Sequence, residues 1–119
     1  MSTRTITGNL AVDPEVVSAG SITKIRIIEN TGEYRAGKWQ AHPDPTMHFV
    51  EAKFELGANA AATLHKGDPV IVVGEEHTNS WGGEGAKQYG RVIEARYVAV
   101  DLNRAVGQVR RTSKPDDSE

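Results

Sequence analysis

Hydrophobic and polar positions alternate with a period of two in several stretches of this chain. That spacing sends successive side chains to opposite faces of a strand. The stretch from Ser21 to Glu29 shows it best: Thr23, Ile25 and Ile27 share one face, while Ile22, Lys24, Arg26 and Ile28 share the other. Thr3 to Leu10, rich in Thr and Ile, predicts a first strand, and Asp13-Pro14 predicts a turn. Asn30 to Thr46 is polar and holds Gly32, Gly37, Pro43 and Pro45, which predicts a projecting hairpin with Tyr34 and Trp39 near its tip. Met47 to Leu56 resumes as a strand, with Val50, Ala52, Phe54 and Leu56 facing a core and Phe49, Glu51, Lys53 and Glu55 facing outward. Pro69 to Val73 reads as a strand buried on both faces, continuing through Glu75 toward Trp81. Gly82-Gly83-Glu84-Gly85 predicts a flexible hairpin tip, and Tyr89 to Val100 a last strand with Tyr89, Arg91, Ile93, Ala95, Tyr97 and Ala99 on one side.

Only Asn59 to Lys66 reads as a helix. Asn59 suits the cap, Ala60-Ala61-Ala62 has high intrinsic propensity, and Gly67 suits a left-handed exit. The predicted order is therefore three strands, one short helix and two strands. That is the order of the all-β, five-stranded Greek-key OB-fold barrel, with its helix between strands three and four. The domain is expected over residues 1–107, and 108–119 as a polar, disordered tail.

Composition narrows this picture. With 119 residues, 38% of them apolar and 6% aromatic, the chain suits one domain of modest core. There is no cysteine, hence no disulfide framework and no thiolate metal site. The N-terminus carries no apolar signal core, and the longest apolar run, Val70 to Val73, cannot cross a membrane. The 14 Lys and Arg against 16 Asp and Glu leave a net charge of −2, so any polyanion would have to be met by a local basic stripe. The segment from Gln108 is neutral: Arg110, Arg111 and Lys114 balance Asp116, Asp117 and Glu119.

The unusual chemistry lies in the aromatic residues. Both tryptophans fall in polar segments, Gly37-Lys38-Trp39-Gln40 and Ser80-Trp81-Gly82-Gly83. Such a ring either packs back on the protein or offers a flat face to something planar, and nucleobases are planar whatever their identity. The stacking candidates are Trp39, Phe49 and Trp81, with Tyr34 in support. Phe54, Tyr89 and Tyr97 read as core or interface. The cations placed to line a groove are Lys24, Arg26, Arg35, Lys38, Lys53, Lys87 and Arg91, with Glu51, Glu75 and Glu76 close by to weaken it. His42, Asp44 and His48 match no common metal spacing, Gly82-Gly83-x-Gly85 lacks the Lys-Ser/Thr of a phosphate loop, and no nucleophile elbow is present. Neither an enzyme nor a cofactor or metal site is expected.

In their order and spacing, several motifs resemble the bacterial single-stranded DNA-binding proteins. Thr7-Gly8-Asn9-Leu10 with Asp13-Pro14-Glu15 is similar to that family's first strand and turn. Gly37-Lys38-Trp39 resembles its Gly-x-Trp segment. Leu64-His65-Lys66-Gly67-Asp68 with Val70-Ile71-Val72-Val73-Gly74 resembles its helix exit and fourth strand, and Trp81 follows Gly74 at the family's spacing to a stacking tryptophan. The resemblance covers residues 5–105 and departs from the family in three places, one of them a stretch before the helix that is one or two residues short. Phe49 and Phe54 are five apart where the family has an aromatic pair six apart. Phe49 is then the outward residue, or a bulge aligns His48 with Phe54. The family's acidic tail with a hydrophobic tip, which recruits replication and repair enzymes, has no counterpart in Pro115-Asp116-Asp117-Ser118-Glu119. The resemblance implies sequence-independent binding of single-stranded DNA in replication, recombination or repair, a homotetramer, and a cytoplasmic, nucleoid-associated place. Its alternative is the same barrel as a protein-interaction module, a primosome-type adaptor or a non-binding paralogue.

Overall fold

The computed structural model describes residues 2–29, 32–41, 46–81 and 88–112, and only the backbone of residues 32–35, 39, 41, 79–81, 88 and 89. The strands are β1 (Ser2–Leu10), β2 (Glu15–Val17), β3 (Ile22–Glu29), β4 (Gly32–Arg35), β5 (Lys38–Ala41), β6 (Thr46–Lys53), β7 (Pro69–Trp81) and β8 (Gln88–Val100), with helix α1 (Phe54–Thr63) between β6 and β7. Five of them close a barrel in the order β1-β7-β8-β6-β3, and β3 returns to β1 through Asn9↔Ile28 and Leu10↔Ile27. The β6–β8 pairing is parallel and joins Val50 to Ile93. This is the OB-fold expected from the order of elements, with the helix between the third and fourth barrel strands.

Closure depends on Asn9, which pairs with Pro69 on one side and Ile28 on the other. Beside it, a Cβ on Gly8 would collide with the Ile28 carbonyl and the Ile27 side chain. Only glycine lets β1 come this near to β3 as it leaves β7. The barrel is filled by Ile6, Leu10, Ile25, Ile27, Val50, Val70, Val72 and Ile93, joined by Ala60 of α1 and by Leu64 just after it. The alternation in β3 holds: Thr23, Ile25 and Ile27 are buried, while Lys24 and Arg26 are exposed.

Four expectations need correction. In β7, Val70 and Val72 are fully buried, but Ile71 and Val73 on the outer face are only half-buried, because no layer among the described residues covers that face. The helix starts at Phe54, five residues before Asn59, and Asn59 is an exposed interior residue rather than a cap. The early start is permitted by Gly57, where a Cβ would meet the Ala52 carbonyl and Thr23 Oγ1, so α1 can turn directly under the barrel. Gly67 does have a positive φ of 91°, but it serves a turn beyond the helix, donating its N–H to the Leu10 carbonyl at 2.8 Å. Phe54 is therefore not the next inward residue of β6: it has φ 53° and is 70% exposed.

Tyr97 is the fourth. Across β7–β8, Val73 pairs with Tyr97 and Gly74 with Ala95, which leaves Arg96 as an extra residue. Such a bulge reverses the phase of everything beyond it. Ile93 and Ala95 point inward before it and Val98 and Val100 after it, so Tyr97 does not share their side and is 66% exposed, which removes the core half of its core-or-interface reading and leaves the interface half. Among the described residues no helix is long and apolar enough to cross a membrane.

Candidate functional site

Among the described side chains, the outer face of β3 and β6 brings several predicted site residues together. The register sets Arg26 opposite Phe49 and Lys24 opposite Glu51. Together with Arg91 of β8 they line an open groove of about 310 Å³, floored by Ile25, Val50 and Val92. Gly90 borders it without a side chain to fill the space. Phe49 is 48% exposed in this groove, as the unbulged register requires; β6 pairs with β3 continuously from Thr46 to Lys53, so the alternative with a bulge does not hold. The Arg26 guanidinium carbon lies 5.7 Å from the Phe49 ring centroid. That is cation–π distance, worth about 0.5–1 kcal/mol at an exposed site, and it steadies the ring while the groove stays open.

The electrostatics are mixed but locally positive. Among the described residues neither Lys24 nor Arg26 forms an ion pair, and Glu51 is the groove's acidic neighbour. Arg91 Nη1 lies 3.3 Å from Glu76 Oε1, and Arg4 Nη1 lies 2.9 Å from the same oxygen. Glu76 is only 10% exposed and serves two guanidinium groups, so it does not cancel the charge of Arg91. Glu75 is likewise held, by Arg96 at 3.1 Å and by the Thr3 hydroxyl. These acids fasten β1, β7 and β8 together rather than facing the groove.

Other predicted residues lie elsewhere. Lys53 leaves the groove and pairs with Glu94 at 3.2 Å. Lys38 is exposed on β5, in the arm made by β4 and β5. In that arm the backbone pairs Tyr34 with Trp39 and Arg35 with Lys38 around a turn at Ala36 and Gly37, φ 52° and 79°. Trp81 ends the β7–β8 ladder opposite Gln88. The side chains of Tyr34, Arg35, Trp39, Trp81 and Tyr89 lie outside the described part of the structure, as do residues Lys87, His42, Asp44 and the tip at 82–85 entirely. His48 faces inward, 8% exposed, with Nε2 2.7 Å from Glu29 Oε1. Sequence reasoning missed that pair and the sharing of Glu76, because partners 19 and 72 residues apart leave no local pattern. It also missed that Phe54 is exposed.

The fold and groove define the class: an OB-fold barrel whose candidate interface lies on its second and third strands, the face that such barrels use for oligonucleotides and oligosaccharides. No family model matches the chain. Single-stranded DNA-binding protein 2 of Streptomyces avermitilis is 29% identical over 114 residues, 93% of this chain and 72% of that protein. The crystal structure of a small single-stranded DNA-binding protein from Streptomyces coelicolor superposes with a TM-score of 0.74 at 24% identity, covering 87% of this chain and 97% of that one. The second single-stranded DNA-binding protein of Mycobacterium smegmatis gives 0.70 at 24% identity, over 92% and 98%. The chain thus resembles the short members of the bacterial single-stranded DNA-binding protein family, as its motifs imply.

Proposed function

We propose that this protein binds single-stranded DNA without sequence preference, in DNA replication, recombination or repair, and that it is not an enzyme. The observation that carries the reading is the groove in which the half-exposed Phe49 ring is flanked by Lys24, Arg26 and Arg91. A base stacks on the ring whatever its identity, and the cations meet its phosphates. The family resemblance adds Trp39, Tyr34 and Trp81 as further stacking residues and Arg35, Lys38 and Lys87 as further cations. The family resemblance supports a homotetramer, and the half-buried Ile71 and Val73 with exposed Tyr97 offer an apolar sheet face for it. Several grooves on one assembly would then engage a single strand with added avidity.

Titration of tryptophan fluorescence with oligo-dT at low and high salt tests the reading. Quenching is expected at low salt and should weaken as salt rises, since phosphate neutralisation releases counterions. Salt-independent fluorescence at all oligonucleotide concentrations would favour a protein-interaction module instead.

A further inference from the structure

We infer that Arg4, which does not line the groove, is a positioning residue for it: through Glu76 it decides whether Arg91 presents its charge to a phosphate. The inference rests on the DNA-binding reading and deepens it. Arg4, Glu76 and Arg91 stand on β1, β7 and β8, three neighbouring strands of the barrel. Arg4 pairs with Gly74 and Arg91 with Thr78, so each guanidinium reaches Glu76 on the diagonal, two residues along β7 from its own partner. Gly74 has no side chain to stand between Arg4 and the acid.

Both arginines donate to the same oxygen, but not equally. Arg4 Nη1 lies 2.9 Å and Arg91 Nη1 3.3 Å from Glu76 Oε1. The side chains of Arg4 and Glu76 also lie deeper than that of Arg91, 37% and 10% exposed against 73%. Water screens the deeper contact less, so the acid's charge is taken up first by Arg4. Two cations on one carboxylate leave one positive charge over. It sits at the exposed end of the cluster, on Arg91, at the groove wall. Without Arg4, the same carboxylate has Arg91 as its one partner among the described residues, and the pair is neutral. The other acids on these strands have cations of their own: Glu75 has Arg96 and Glu94 has Lys53. Loss of a guanidinium on β1 therefore acts as loss of a cation in the groove.

The test is the slope of log affinity for oligo-dT against log salt, measured on the full chain. Arg4→Met and Arg91→Met are each expected to lower it by about 0.7, the value of one phosphate contact on a single strand. The two together should lower it no further than either alone. Arg4→Lys should keep the wild-type slope. Adding Glu76→Gln to Arg4→Met should restore it, because Arg91 then faces no carboxylate. A merely structural role for Arg4 predicts the reverse, since that double variant has lost more of the cluster. A wild-type slope in either single Met variant overturns the inference. So does an additive loss in Arg4→Met/Arg91→Met, which would make Arg4 a phosphate contact itself, and so does a failure of Glu76→Gln to restore the slope. If Arg4→Met alone does not fold, the Arg4→Met/Glu76→Gln protein decides: a wild-type slope supports the inference and a lowered one overturns it. Wild-type protein that does not bind oligo-dT overturns the DNA-binding reading itself. Normal binding by the wild type with an unaffected Arg4→Met overturns this inference alone.

Discussion

At the scale of single residues, the groove turns on two side chains that touch. Arg26 lies over the Phe49 ring at 5.7 Å, yet the two should contribute differently to binding. Loss of the ring removes a stacking face worth about 1–3 kcal/mol per base. Phe49→Ala is therefore expected to weaken oligo-dT binding about tenfold with an unchanged salt slope, read by fluorescence titration. Arg26→Ala should instead lower the slope by about 0.7 for each phosphate contact removed from a single strand. Phe54 makes the opposite point. Left-handed backbone costs an L-residue about 1–2 kcal/mol, and glycine gives back about 0.5–1 kcal/mol of that in chain entropy. Phe54→Gly should thus gain up to about 1 kcal/mol in urea unfolding. The outward phase of Lys24, Arg26 and Phe49 was legible in the sequence because a strand's period reports it directly. The exposure of Phe54 was not, because period-two alternation says nothing about where a strand ends.

At the scale of elements, the helix and the last strand show how local signals yield to packing. Asn59, the alanine run and Gly67 all read as boundaries of a short helix, and propensity alone supports them. The helix starts at Phe54 because Gly57 lets its first turn lie against Ala52 and Thr23. Gly57→Val is expected to push α1 off the barrel and to cost about 1–3 kcal/mol, the usual range for overpacking, measurable by chemical denaturation. In β8 the bulge at Arg96 reverses the inward phase between Ala95 and Val98. No residue type marks that point, which lies two residues beyond the parallel pairing of Ile93 and Glu94 with β6. The β4–β5 hairpin was legible as an element, since Gly37 supplies a turn and polar residues surround it.

At the scale of the whole molecule, the outer face of β7 and β8 leaves Ile71, Val73 and Tyr97 uncovered in a single chain. If that face joins copies in the proposed tetramer, Tyr97→Glu should lower the mass seen by light scattering, while the groove on β3 and β6 keeps its affinity for short oligo-dT. The body's acidity also finds its place at this scale. Glu75, Glu76 and Glu94 are spent on Arg96, on Arg4 and Arg91, and on Lys53, which leaves Lys24 and Arg26 to set the sign of the groove. By itself the amino-acid order determined the strand periodicities, the sequence of elements and hence the barrel, because alternation and turn residues act between near neighbours. Only the tertiary structure decided which cations share a groove, where β8 changes phase and why Phe54 faces solvent. Each of those depends on partners brought together by barrel closure, and contacts between residues distant in the chain leave no period to read.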